Sequence, residues 1–285
     1  MEDDRYVGLR KRPLEEKVAS GASERSTRSR VERTANGHAS EHCRSHGKIA
    51  QGNIISVFDA REHDMPHNVA VLEMWGKQDG LTFRQLAVCS RSLASRLLIA
   101  LPSDSEGCSE AVAVLMQRSC QWLVVTLAVL RCGRPFVWLS AGEPGSAAVA
   151  SARTQARDSK LWHRNAAAID MVAPCCILQG AEVSPDALPV NLTVPVLQLD
   201  ALIGNLGQGC DEHELPDLAS DATLCYMFTG GSTGLPKCVE VTHAMARHEI
   251  QQYPTIAKMS CKDRVLQHTP VFWAASVWGQ IDIAL

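Results

Sequence analysis

The sequence predicts an α/β fold in which mostly parallel sheets are covered by helices, and three observations carry that prediction. Ala111 to Leu139 reads as a short apolar strand, a helix and a second apolar strand in succession. From Ile54 onward, apolar strand patterns alternate with amphipathic helix patterns, and no repeat of solenoid period interrupts them. The chain of 285 residues is 46% hydrophobic, and its apolar runs lie almost wholly beyond residue 50. One large or two modest domains fit that length, since domains commonly run about 100 to 200 residues.

Residues 1 to 50 are rich in Arg, Glu, Ser, Gly and His. They lack the large apolar groups needed to offset chain entropy, so a disordered polar tail is expected there. His38, His42, Cys43 and His46 carry metal-ligand chemistry at close spacing, but the segment reads as low complexity and no metal site is assigned.

Leu81 to Leu86 opens a helix. The Thr82 hydroxyl can accept a backbone N–H while Gln85 reaches back, and Leu86, Leu93 and Leu97 then share one face. Ala111 to Met116 suits a buried strand, Gln121 to Arg131 a helix stopped at Gly133, and Pro135 to Leu139 the next strand. A β-α-β unit of this kind favours parallel pairing with right-handed crossovers. Between 140 and 222, Cys176-Ile177-Leu178 and Val194 to Leu199 read as strand pieces. Asp211, Glu212, Glu214, Asp217 and Asp221 read as a solvated linker.

Composition narrows the function classes. The net charge is −3, with 28 Lys and Arg against 31 Asp and Glu, so no basic field exists for gripping a nucleic-acid backbone. Eleven irregularly spaced cysteines match neither a disulfide framework nor a zinc module, which points to a reducing compartment. Trp122 to Leu130, among the longest apolar runs, falls far short of the roughly 20 residues that cross a bilayer. The charged opening Met1 to Arg5 is no secretory signal, so the cytoplasm is the expected location.

The chemistry concentrates in one loop. The apolar run Leu224 to Phe228 enters Thr229-Gly230-Gly231-Ser232-Thr233-Gly234-Leu235-Pro236-Lys237, and Val239-Glu240-Val241 follows as a second strand leading to a helix near Thr242. A polyphosphate needs inward-pointing N–H groups at close range, and glycines permit both the backbone angles and the approach. Thr229, Ser232 and Thr233 can donate to phosphate oxygens, and Lys237 can balance the remaining charge. The string is not a Walker loop, because Leu235-Pro236-Lys237 follows Gly234 where that motif needs Lys and then Ser or Thr.

At these residues the sequence resembles the acyl-adenylate-forming (AMP-binding) superfamily, which includes acyl-CoA synthetases, luciferase-like enzymes and the adenylation domains of nonribosomal peptide synthetases. Leu81 to Leu86 is similar to the first adenylation motif, Leu130 to Leu139 to the second, Thr229 to Lys237 to the third and Phe272 to Gly279 to the fourth. The resemblance covers roughly residues 54 to 285. It implies an N-terminal large subdomain of an adenylate-forming enzyme, with 51–285 forming a partial AMP-binding domain behind the 1–50 tail.

By the same resemblance, Thr229, Ser232, Thr233 and Gly234 would hold ATP phosphates, supported by Gly230 and Gly231, with Lys237 as the catalytic cation and Mg²⁺ accompanying the nucleotide. The implied reaction is attack of a carboxylic acid on the α-phosphate to give an acyl-adenylate. A thiol acceptor would follow, either CoA or a phosphopantetheine carrier protein.

Several positions depart from the family pattern or carry two readings. Cys238 stands where the family usually has Gly, and is read as a small packed residue rather than a nucleophile. Ala274 stands where amino-acid-activating members carry the aspartate that pairs with the substrate ammonium, which favours other carboxylic acids. Trp273 and Trp278 read either as an acyl pocket or as core, and His243 either as part of the site or as a helix-start packing or capping residue.

The family's downstream motifs, a Thr-Glu pair, a ribose-binding Asp and a mobile-domain lysine, have no counterpart before Leu285. The competing expectations are therefore an enzyme completed beyond this point, and a truncated or degenerate nucleotide-binding or interaction fragment. The 285 residues alone are expected to show little or no turnover. A phosphate-binding module of unrelated fold is a third reading.

Overall fold

The computed structural model describes residues 52–73, 80–101, 109–142, 152–181, 183, 187–189, 191–204, 216–229, 236–260 and 263–272, with side chains in the long 152–172 helix described from 162. All of these belong to one of the chain's two structural units, Ser45–Leu285. The expected disordered tail and its His38, His42, Cys43 and His46 lie outside the described residues.

The chain enters through helix α1 (Ile54–Asp64), whose N-cap Asn53 accepts from the backbone N–H of Ser56. A two-stranded antiparallel pair follows, β1 (Val69–Val71) and β2 (Leu81–Thr82). Helix α2 (Phe83–Ala100) starts with the predicted reciprocal cap: Thr82 Oγ1 accepts from Gln85 N at 3.2 Å, and Gln85 Oε1 accepts from Thr82 N at 2.9 Å. Leu86, Leu93 and Leu97 are all fully buried, as their common face requires.

Strand β3 (Ser109–Leu115), helix α3 (Cys120–Arg131) and strand β4 (Phe136–Trp138) form the anticipated β-α-β unit, with Val112, Ala113 and Val114 facing Phe136, Val137 and Trp138 in parallel. Residues Trp122 to Arg131 are all buried, so α3 is a core helix rather than a surface one. It stops at Gly133, whose φ of +74° is left-handed and where a Cβ would stand 2.9 Å from Pro216 Cγ.

Helix α4 (Ala152–Val172) then leads to β5 (Pro174–Gln179), β6 (Val196–Gln198) and the short helix α5 (Leu199–Ile203). After exposed Asp217 and Asp221 in the predicted linker come β7 (Thr223–Thr229), β8 (Lys237–Thr242) and helix α6 (His243–Ile256).

The main sheet has the order β6-β5-β3-β4-β7-β8. Its pairs are parallel except for β7 with β8, which is antiparallel. The crossover through α3 steps from β3 to its neighbour β4, and the crossover through α4 runs the opposite way, from β4 past β3 to β5. Right-handed crossovers therefore place α3 and α4 on opposite faces of the sheet.

The core records this division. Val112 and Val114 of β3 pack in a cluster with α2 and α3, whereas Ala111, Ala113 and Leu115 pack with Ala168, Ile169 and Val172 of α4. Burial on both faces is what a parallel sheet requires. No helix among the described residues is long and apolar enough to cross a membrane.

Candidate functional site

The five strands β3, β4, β5, β6 and β7 all point the same way, so Leu115, Trp138, Gln179, Gln198 and Thr229 end at one edge of the sheet. Open α/β sheets bind ligands outside this carboxyl edge, where connections diverge. The Gly/Ser/Thr string lies there because it joins the end of β7 to the start of β8.

That connection is too short for a crossover, so β8 returns antiparallel beside β7. Phe228 faces Cys238 and Thr229 faces Lys237 across the ladder. Directly opposed residues have Cβ atoms about 5 Å apart on the same face. A hydroxyl and an ammonium thus stand side by side, both exposed, at the mouth of the loop. Of the predicted site residues the structure brings these two together. Gly230, Gly231, Ser232, Thr233 and Gly234 lie outside the described residues.

Two neighbours of the loop take roles that sequence left open or assigned differently. Cys238 is exposed and not packed. Partial desolvation and the Glu240 carboxylate push its thiol above the ordinary range, so at neutral pH it is a protonated and poor nucleophile. His243 is 1% exposed, and its Nδ1 accepts the backbone N–H of Ile54 at 3.2 Å. Burial drives its pKa down to about 4. Packing and capping, not contact with a ligand, is the role its surroundings support.

A second segment reaches the same edge. Residues 263–272 contain no helix or strand. Arg118, just beyond β3, donates through Nη1 to Gln267 O at 3.1 Å and Thr269 O at 3.0 Å. Arg164 of α4 donates through Nη2 to Phe272 O at 2.8 Å and stacks 3.9 Å from the Phe272 ring centroid. Desolvation lowers the Arg164 pKa to about 10, which leaves it cationic at neutral pH. Ala274 and the remainder of the fourth motif, 273–279, lie outside the described residues.

Sequence reasoning missed both arginines. Neither sits in a motif, and their partners are backbone carbonyls more than 100 residues away. It also missed Asn165, whose side chain is 1% exposed and closes the strand end after β4. Its Oδ1 accepts from Ser140 N at 2.8 Å, and its Nδ2 donates to Ser140 O at 2.8 Å and Ala187 O at 2.9 Å.

A triphosphate needs accessible donors, a balancing cation and main-chain N–H groups. The exposed Thr229 and Lys237 at the ends of a glycine-rich connection fit those needs. Among the described residues no group of three His, Cys, Asp or Glu side chains is arranged to hold a metal ion by itself.

The model for the family described as AMP-binding enzyme matches residues 58–283. Nonribosomal peptide synthetase otaB of Aspergillus niger is 31% identical over 205 residues, which cover 69% of this chain and 9% of that protein. Surfactin synthase subunit 2 of Bacillus subtilis is 30% identical over 213 residues, 69% of this chain and 5% of that one.

Among solved structures, the Klebsiella oxytoca NpsA N-terminal subdomain in complex with 3-hydroxyanthranilyl-AMSN superposes with a TM-score of 0.62 at 21% identity. The match covers 82% of this chain and 53% of that one. PA1221, a nonribosomal peptide synthetase protein containing adenylation and PCP domains, gives 0.59 at 21%, covering 83% and 42%. The chain thus spans about half of the first solved neighbour and less than a tenth of these two curated relatives.

Proposed function

We propose that this chain, which belongs to the AMP-binding enzyme family, supplies the ATP-gripping part of an enzyme that activates a carboxylic acid as its acyl-adenylate. The observation that carries this reading is the cross-strand placement of Thr229 opposite Lys237 at the carboxyl edge, with the glycine-rich connection between them. In it, 51–285 is the AMP-binding region and 1–50 a separate tail.

Thr229, Ser232, Thr233 and the Gly234 N–H hold phosphate oxygens, Gly230 and Gly231 allow the close approach, and Lys237 offsets the charge. Bound with the nucleotide, Mg²⁺ would supply further neutralisation of the phosphates. A carboxylate oxygen of the substrate attacks the α-phosphorus and forms a new O–P bond. The bond to the bridging oxygen breaks, and its electron pair departs with pyrophosphate. Charge grows on the leaving oxygens, so donors fixed in advance favour the transition state over the ground state.

The mixed anhydride then acylates a thiol, on CoA or on a phosphopantetheine carrier protein. A carrier acceptor is supported by the similarity to PA1221, which contains adenylation and PCP domains. Because Ala274 offers no carboxylate to an ammonium group, the acid is one other than an ordinary α-amino acid.

The test is ATP binding by this chain, followed by acid-dependent pyrophosphate exchange across a broad panel of acids by the chain extended with the family's downstream motifs. Lys237→Ala should weaken ATP binding about tenfold, the worth of one charge-assisted contact to phosphate. Wild-type binding that Lys237→Ala leaves unchanged would sink the proposal. A second reading is nucleotide binding without turnover. Binding without exchange for any acid would favour it.

A further inference from the structure

We infer that Trp138 contacts the bound nucleotide, its indole N–H donating to a phosphate oxygen alongside Thr229 and Lys237. The inference rests on the proposed function, which puts phosphates at that pair.

Among the described residues, Trp138 Nε1 is the one buried side-chain nitrogen or oxygen without a hydrogen-bond partner. The residue is 6% exposed. An indole nitrogen can only donate, and a donor left unmet in a buried place is costly. Phe136 and Trp122 do not answer it. Their rings lie 4.6 and 4.5 Å from that of Trp138, centroid to centroid, at interplanar angles of 32° and 44°. A ring accepts an N–H on its face only when the donor's plane stands nearly upright to it. These contacts are nearer parallel, so the N–H edge passes both faces by. The first turn of α3 has its own acceptors, Ser119 Oγ for Trp122 N and Glu73 Oε1 for Cys120 N, and neither bonds Trp138.

Strand placement sets where this donor lies. Trp138 ends β4 at the carboxyl edge, and the parallel register that sets Phe136 beside Cys225 and Val137 beside Tyr226 puts Trp138 level with Met227. Trp138 and Met227 pack in one cluster, on the α3 face of the sheet. Side chains two residues apart in a strand share a face, so Thr229 projects from that face too, as does Lys237 opposite it.

With strands about 4.8 Å apart and about 3.3 Å gained per residue, the Cα atoms of Trp138 and Thr229 stand about 8 Å from each other. A hydroxyl, an ammonium and an unspent indole N–H thus share one end of one face, and all three can donate. The ligand that answers them together carries anionic oxygens.

Nε1 is covered, so a phosphate reaches it only as the cover yields. Val271 and Phe272 pack on the same cluster and belong to the stretch 263–272. Hydrogen bonds from Arg118 and Arg164 hold that stretch at this edge, with no ladder or helix of its own. Binding should shift it as the donor is satisfied.

The experiment follows the Trp138 indole signal in proton–nitrogen correlation spectra of the chain as ATP is added. Adenosine, which has no phosphate, is the control, and loss of the signal in Trp138→Phe assigns it. ATP should move the signal downfield, the direction of a new hydrogen bond, and adenosine should leave it in place. Trp138→Phe keeps a ring beside Phe136 and Trp122 but has no N–H. It should weaken ATP binding about tenfold, the worth of one hydrogen bond to a charged group.

A signal that ATP leaves unmoved, a signal that adenosine moves as far, or Trp138→Phe binding ATP as tightly as wild type overturns the inference. A wild type that binds no ATP overturns the proposed function itself. If far-UV circular dichroism shows Trp138→Phe unfolded, the signal is assigned in wild type through the residue's own backbone amide, and its response to ATP against adenosine decides.

Discussion

The imidazole Nδ1 of His243 accepts the backbone N–H of Ile54 across 189 residues of sequence, which joins the first turn of α6 to the first turn of α1. The bond exists only while Nδ1 is unprotonated. Buried at 1% exposure, His243 stays neutral in the folded chain down to about pH 4, whereas an unfolded histidine takes up its proton near pH 6.5.

Between those values the unfolded chain holds more protons, so stability falls as pH drops from about 6.5 toward 4, by roughly 3 kcal/mol in total. His243→Asn keeps an acceptor near the same place but cannot titrate. Urea unfolding at a series of pH values should show a shallower acid loss in that variant, and identical slopes would refute the assignment.

Asp59 binds Arg131 through both oxygens, at 2.5 and 3.1 Å, and also meets Arg91 at 2.9 Å. Arg131 is 3% exposed and gives its Nε–H to Ser90. Asp59→Ala would strand a buried guanidinium, with an expected loss of about 3 kcal/mol. Replacing both partners, Asp59→Ala with Arg131→Met, should cost less than Asp59→Ala alone, because no charge is left unpaired. Chemical denaturation of the two variants checks the order.

The reciprocal cap between Thr82 and Gln85 predicts a smaller effect. Thr82→Ala should lower stability by about 1 kcal/mol and Thr82→Ser by little, since serine retains the accepting oxygen. A thermal melt that ranks the two equally would remove the cap from the account of α2.

Cys238 lies beside Lys237, and its thiol is held above the ordinary range. Its alkylation by iodoacetamide should be slow at neutral pH and accelerate only in alkali. ATP should protect it if the neighbouring loop holds phosphate. Peptide mapping distinguishes it from the other cysteines, and labelling indifferent to ATP would count against the site.

The parts of the fold legible in sequence were those written locally. The cap of α2 needed only Thr82 and Gln85, and the β3-α3-β4 unit announced itself through apolar runs closed by Gly133. Helix α4 escaped because Ala and Gly abound around it, and its inward stripe near the end comprises only Ala168, Ile169 and Val172. The antiparallel return of β8 was within reach, since a connection from 230 to 236 cannot accommodate a crossover.

The site divided along the same line. Its loop was visible as a string of residues suited to phosphate, but the grip of Arg118 and Arg164 on 267–272 depends on contacts between distant segments that no local pattern encodes.

The pairing of Thr229 with Lys237 also bears on thermodynamics. Bringing the ends of a flexible segment together carries an entropy cost that depends on its length. Here the β7 and β8 ladder meets that cost during folding. A nucleotide held there, as proposed, would meet strand ends already joined by the ladder, so the free energy of its contacts would appear as affinity with little lost to closing a ring. Any change that frays the ladder beside Thr229 would return that closure cost to the binding step, and would weaken the ligand without removing a single group that touches it.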